Sequence, residues 1–218
     1  MAVPDIFDEV QEDLRAERAR GLLKRFGGLL IVALLLVLAG VGGWQAWKQY
    51  QDRVAQQEAA AFIAAQAVAD GLPAGRAAAI PAFAKIAATA GPGYRTLARL
   101  REAAIKADTG DAAGAAALWN EVAADGSADQ LLRDLASLQW ALHQIDAGDP
   151  TQVAARLQPL TTAGNAWRLL AMEAQAMLAL RQGQTDAARD TLKALAADTT
   201  APDGVRGRAG GLLQRLGS

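Results

Sequence analysis

The side chains able to do acid–base, nucleophilic or metal chemistry are few in this chain, and their spacing suits other work. Histidine occurs once, as His143, and cysteine not at all. A lone imidazole acts as a general base only with a nucleophile and an orienting carboxylate in reach. Asp146, one helical turn on, could face His143, but no serine stands in a matching place. His143 also falls about 100° around the helix from its neighbour Leu142, which reads as a partly exposed surface position. The carboxylate pairs Asp108/Asp111 and Asp186/Asp190 fit helix capping and surface ion pairs better than paired acid–base catalysis. Gly91-Pro92-Gly93 lacks the lysine of a phosphate loop and reads as a break between helices. Without thiols there are no disulfides and no Cys or His metal sites, leaving only carboxylate sites. Trp119, Trp140 and Trp167 each sit in or beside an apolar stripe, which marks packing anchors rather than ligand platforms. The expectation is a chain with no catalytic, metal-binding or cofactor-binding residue and no small-molecule substrate: not an enzyme.

Charge narrows the partners further. The net charge is −1 over 218 residues, and beyond the first 25 residues basic and acidic side chains balance. Nucleic acid, which demands a basic face, is therefore not an expected partner. Alanine is abundant and β-branched residues are sparse, a composition that favours helix over strand nearly throughout.

One segment must position everything else. Phe26 to Trp47 reads FGGLLIVALLLVLAGVGGWQAW, 22 residues without a charge, preceded by Lys24-Arg25 and followed by Lys48. As a helix at ~1.5 Å per residue it spans ~33 Å, about the hydrocarbon thickness of a bilayer. Trp44, Trp47 and Tyr50 stand where an interfacial aromatic belt would lie. Arg15, Arg18, Arg20, Lys24 and Arg25 precede the segment, against Lys48 and Arg53 after it, so the N-terminus is expected in the cytoplasm and the long C-terminal part outside. In a two-membrane bacterium that is the periplasm. A cleaved signal peptide is the competing reading, with small residues from Ala39 to Gly43 as its cleavage region. The long acidic stretch before the apolar run and the run's own length favour an anchor. With no cysteine, a lipoprotein is excluded. Residues 1–25 are expected to form a cytoplasmic juxtamembrane helix, with Pro4 in its first turn, acids early, bases late and a narrow Phe7/Val10/Leu14 stripe. That helix is either a docking element or a solvated segment that only sets topology. Residues 26–47 are the expected transmembrane helix, and 48–218 the periplasmic helical domain. Ala39 and Gly43 form a small-xxx-small pair able to receive a neighbouring transmembrane helix.

Beyond the anchor a turn recurs, at Gly110-Asp111, Gly148-Asp149-Pro150 and Gly183-Gln184-Thr185, in steps of 38 and 35 residues. This is near the ~34-residue period of tetratricopeptide repeats. Each Gly can end a helix in the left-handed conformation, Asp111, Asp149 or Thr185 can cap the next, and Pro150 suits a first turn. Leu131, Leu135, Leu138, Leu142 and Ile145 make one stripe before Gly148, with Leu157 and Leu160 following it. Further helix starts are expected at Ser127 with Gln130, a capping box, and at Asn165. The first hairpin and the last helix are less regular. Gln51 to Asp70 should continue the anchor helix, Gly71 to Gly75 should turn, and Pro81 should kink the next helix or mark its start. Pro202 should open a final helix carrying Val205, Ala209, Leu212, Leu213 and Leu216, weakened by Gly204, Gly207, Gly210 and Gly211. Hairpins that cannot bury their apolar faces alone must stack, so the expected fold is all-α: one transmembrane helix, then a tetratricopeptide-like α-solenoid of about four helical hairpins with a C-terminal capping helix.

The single anchor, the segment DIFDEVQEDLRAERARGLLKRFG, and the repeat positions Gly110, Ala115 and Trp119 resemble the YfgM-like family of membrane-anchored tetratricopeptide-repeat proteins, ancillary subunits of the SecYEG translocon. Gly183, Ala188 and Leu192 repeat the spacing of five and four; the middle unit departs, with Val153 five residues after Gly148. The resemblance implies an inner-membrane protein with its repeats in the periplasm. Its implied partners are the Sec translocon, a periplasmic chaperone and translocating polypeptides. A scaffold for envelope assembly or cell division, built on the same domain, is the alternative. The concave groove of such a domain, lined by the first helix of each hairpin, would draw on residues such as Arg99, Glu102, Lys106, Arg133, Gln139, Arg168 and Glu173, each of which a solvated face explains as well.

Overall fold

The computed structural model describes residues 6–71 and 73–217, with side chains described for 28, 29, 31–71 and 75–217. Most of those residues are helical, the rest lie in turns and short links, and there is no strand among them. The helices are α1 (Ile6–Ala69), α2 (Pro73–Thr89), α3 (Pro92–Asp108), α4 (Ala112–Ala124), α5 (Gln130–Gln144), α6 (Pro150–Leu157), α7 (Arg168–Arg181), α8 (Thr185–Ala197) and α9 (Asp203–Arg215), with a 3-10 turn at Gln158–Thr161 after α6. The chain divides into two compact units, Met1–Gln56 and Gln57–Ser218. The structure of Pro4 and Asp5 lies outside the described residues.

In the first unit, the described stretch of α1 from Ile31 onward is long and apolar enough to cross a membrane, and none of its most apolar part is buried in protein. A soluble core helix of this composition would be covered instead. At its polar end the Trp47 and Tyr50 rings lie 6.4 Å apart, and Lys48 Nζ sits 5.8 Å from the Trp44 ring.

In the second unit, four hairpins follow one another: the end of α1 with α2, α3 with α4, α5 with α6, and α7 with α8, closed by α9. From α2 to α9 each helix packs on its neighbours in the chain, the end of α1 shares the first cluster with α2 and α3, and α3 touches α5, α5 touches α7 and α7 touches α9. The core is a row of local clusters rather than one centre. Phe83, Ile86 and Ile105 fill the first, Trp119 and Val122 the second, Leu138, Val153, Leu157 and Leu160 the third, and Leu192, Leu195 and Val205 the last. Burying each such Phe, Leu or Ile contributes about 1.5–3 kcal/mol.

A buried small–large pair four residues apart recurs on each second helix: Ala79/Phe83, Ala115/Trp119, Val153/Leu157 and Ala188/Leu192. Val153 is wholly buried, so the middle unit keeps the register despite its larger residue. The first hairpin, irregular in sequence, carries the same pair.

The turns match expectation at two of three places. Gly110 (φ 89°) and Gly183 (φ 73°) both close a Schellman motif, with Asp111 N donating to Lys106 O at 2.8 Å and Gln184 N to Ala179 O at 2.8 Å. Gly148 is not left-handed. A Cβ there would sit 2.8 Å from Gln144 Cβ and from Gln144 O, so close approach, not handedness, demands glycine. The carbonyls this turn leaves open, Ile145 O and Gly148 O, accept from Arg181 Nη1 of the next hairpin at 2.6 and 2.8 Å.

Caps differ in detail. Asp111 accepts from Gly114 N and Asp149 from Thr151 N, and Pro150 and Pro202 stand at helix starts as read. The cap of α5 is Asp129, accepting from Leu131 N; Ser127 instead donates to Asp125, two residues back. Two adjacent Asx turns compete for the same stretch, and the carboxylates win over the hydroxyl. Thr185 is the first residue of α8 and not its cap, a place taken by Gln184 with no side-chain bond. Asn165 Oδ1 accepts from Trp167 N just before α7. The helix α2 starts at Pro73 and runs through Pro81 to Thr89, so the first turn is shorter than read and the proline neither starts nor ends the helix. Gly91 separates α2 from α3 as expected.

Gly110→Ala and Gly183→Ala should each lower stability by about 1 kcal/mol, since alanine resists the left-handed region. Gly207→Ala, on an open helical face where a Cβ meets nothing within 4 Å, should raise it by up to about 1 kcal/mol. Chemical-denaturation midpoints followed by circular dichroism check both signs.

Candidate protein-docking groove

The first helices and the capping helix converge on one apolar hollow. Leu142 of α5, Leu170, Glu173 and Met177 of α7, and Arg208, Gly211, Leu212 and Arg215 of α9 line a volume of about 400 Å³. Beside it, sharing Leu142 and Met177, a second hollow of about 450 Å³ is lined by Ile145, Asp146, Leu180 and Arg181. No second helix of a hairpin contributes to either. The floor is aliphatic and the rim charged, the makeup of a surface that takes an apolar side chain and orients it with a few polar groups.

Helical spacing explains why these residues meet. Arg208, Gly211, Leu212 and Arg215 stand at steps of three and four and so share one face of α9. Leu170, Glu173 and Met177 do the same on α7. Glu173 is 5% exposed and would be expensive alone; Arg208 Nε and Nη2 each donate to its carboxylate at 2.6 Å. That bidentate pairing holds the Arg208 guanidinium above its usual pKa. The Arg208 side chain is 56% exposed, so it stays open to solvent at the groove's rim while it pairs with Glu173.

Of the seven side chains expected in such a groove, Glu173 alone lines it. Arg99 reaches sideways to Asp125 at 3.2 Å, and Arg168 to Asp198 at 3.5 Å, each tying a first helix to the end of its hairpin partner. The two carboxylates are equivalents: Asp125 accepts from Ser127 and Asp198 from Thr200, through backbone N–H and hydroxyl alike. Those bonds hold both carboxyls below their ordinary 3.8. Lys106 pairs with Asp111 at 3.0 Å, and Arg133 bonds Gln130. Glu102 is buried, 7% exposed, and burial pushes its carboxyl above the ordinary 4.5. Of the groove's floor, Leu142 and Leu212 read in sequence only as apolar stripe, and Met177 carried no signal of its own.

His143 is exposed, its ring centroid 4.5 Å from that of Trp119 and its Nδ1 3.0 Å from Gln139 O, while Asp146 stands in the second hollow. Trp119 is buried, and Trp167 donates Nε1–H to Leu131 O at 2.9 Å, so both act as packing anchors. Trp140 packs beside two core clusters, with the Arg156 guanidinium 4.7 Å from its ring centroid. Among the described residues, no group of three or more His, Asp or Glu side chains is placed to hold a metal ion.

A family model described as a tetratricopeptide repeat-like domain matches residues 20–207. The chain belongs to that family. The match begins inside α1, before the apolar stretch, and ends inside α9, so it takes in the candidate membrane helix together with all four hairpins of the repeat-like domain. Curated proteins and solved structures show no match to the chain. Tetratricopeptide repeat-like domains serve typically as non-catalytic protein-interaction modules, and no enzymatic family is indicated.

Removing the partner of buried Glu173 should be costly. Arg208→Ala should destabilise by about 2 kcal/mol, the moderate end of the range because the arginine is half-exposed. Replacing both residues with leucine should recover most of it, as a double-mutant cycle by urea denaturation would show. The acids predict opposite pH responses. Because the folded Glu102 carboxyl titrates high, ionising it opposes folding, so Glu102→Gln should raise the melting temperature at pH 7 and lose its advantage below about pH 4. Asp125 and Asp198 titrate low when folded, so they stabilise above the unfolded value. Asp125→Asn should lower the melting temperature at neutral pH, with the gap closing as pH falls below about 4.

Proposed function

We propose that this chain is an inner-membrane protein-interaction module without catalytic activity, anchored by residues 26–47, with residues 1–25 in the cytoplasm and the repeat domain, 48–218, in the periplasm. The observation that carries the reading is the apolar groove built from Leu142, Leu170, Met177 and Leu212 on the first helices and the cap alone. An apolar hollow with a charged rim favours protein segments over small polar metabolites. The uncovered apolar length of α1 and its aromatic end support a membrane anchor, and the excess of basic residues before it supports a cytoplasmic N-terminus.

On this reading the domain works at the periplasmic membrane surface as an ancillary subunit of the Sec translocon, linking the export channel to periplasmic chaperones and to translocating polypeptides. That partnership rests on the resemblance of the N-terminal segment and the repeat positions to the YfgM-like proteins.

A periplasmic reporter fused behind Ser218 should be active and a cytoplasmic one silent; the reverse would sink the topology. Photocrosslinkers at Met177 and Leu212 in native membranes should capture translocon or chaperone subunits above a control placed at exposed Gln152. Equal capture at all three would reject the groove as the docking site, and capture of division proteins instead would favour the scaffold reading.

A further inference from the structure

Nothing among the described residues calls for Gly207, Gly210 and Gly211, which lie on one side of α9. A Cβ built at Gly207, Gly210 or Gly211 would meet nothing within 4 Å, yet each glycine inside a helix weakens it relative to alanine. Gly211 lies in the groove itself, between Arg208 and Arg215 on the same helical face. A bare backbone at that place lets another backbone come close, the service glycine gives where two chains approach.

Charge says what kind of chain. The groove over α7 and α9 holds two guanidinium groups and one carboxylate, and that carboxylate, Glu173, is buried and already engaged by Arg208. Arg215 makes no ion pair among the described residues, and Arg208 stays about half exposed beside its pair with Glu173. Both cations therefore stand beside an apolar floor of Leu142, Leu170, Met177 and Leu212, in a hollow whose lining holds no carboxylate besides Glu173.

We propose that the groove takes an extended acidic–apolar peptide segment, which crosses α9 over Gly211, sets a large aliphatic or aromatic side chain on the Leu142/Met177/Leu212 floor and aligns flanking carboxylates with Arg208 and Arg215. This deepens the interaction role proposed above and rests on it. A guanidinium recognises a carboxylate through paired N–H donors, so carboxylates on either side of the anchoring residue fix the register of the segment. Basic segments are repelled by the same pair, which makes the site selective.

The test uses the full chain in lipid nanodiscs and fluorescence anisotropy with two short labelled peptides, one alternating Glu with Leu and one alternating Lys with Leu. The acidic peptide should bind at least about tenfold more tightly than the basic one, with affinity falling as salt rises. Arg215→Glu should remove that preference. Gly211→Ala should weaken acidic-peptide binding severalfold while raising the melting temperature, a split that a merely structural role for Gly211 would not produce. Equal binding of the two peptides would overturn the acidic specificity and leave the groove as a docking site. Binding unaffected by Gly211→Ala would overturn the close backbone approach. Failure of both peptides to bind would overturn the proposal, and crosslinking from Met177 and Leu212 then decides separately whether the interaction role survives.

Discussion

Two helices can pack closely only where at least one of them offers a small side chain, and the repeat domain is organised around that limit. Ala79, Ala115 and Ala188, wholly buried on the second helices, stand four residues before Phe83, Trp119 and Leu192. The small residue admits the neighbouring helix and the large one fills the space beside it, giving interior density without a polar atom. Val153 shows how far the rule bends. It sits in the small position with no exposure, above Leu157, in the hairpin whose second helix is shortest and passes into a 3-10 turn at Gln158. Once the crossings are set, neighbouring hairpins bury one another's open faces and the clusters join into a row.

Polar side chains stitch the same row across its seams. Arg101 of α3 donates to Gln66 of α1 and to Asp70 just beyond it, Asn165 donates to Asp134, Arg181 donates to carbonyls of the turn after α5, and Arg208 of α9 donates to Glu173 of α7. Each bond links a first helix, its lead-in or the cap to the hairpin before, and each contributes about 0.5–1.5 kcal/mol, more where charge is buried. Their importance lies as much in direction as in energy, because hydrogen bonds fix the stagger that apolar contact leaves free.

The groove follows from the stagger. Leu142, Met177 and Leu212 come from three helices separated by whole repeats, and only the stacking of α5, α7 and α9 lays them side by side. The capping helix has two faces with different tasks. Val205 and Ala209 close the core, while Arg208, Gly211 and Arg215 meet solvent at the groove. A cap built only for solubility would gain from alanine at its open glycine positions; this one keeps its backbone bare beside two cations.

Local order was legible in the residues. The charge-free run of α1, the Gly110 and Gly183 turns with their left-handed glycines, the Asp111 and Asp149 caps and the final helix after Pro202 all express rules that act within a few residues, so periodicity and turn chemistry suffice. Close competitors within one stretch were not: Asp129 displaced Ser127 as the cap of α5, and Gln184 displaced Thr185. The site was hidden for a different reason. Charge and helix position alone could not separate Glu173, which lines the groove, from Arg99 and Arg168, which turn to Asp125 and Asp198 at the ends of their own hairpins. Spacing along one helix states which residues share a face, but which face meets a neighbour depends on the rotation of that helix against others a repeat away, and contacts over that distance set it. The sequence thus determined an anchor-like helix and a set of hairpins, whereas only their packing decided which leucines became core and which became the floor of a binding surface.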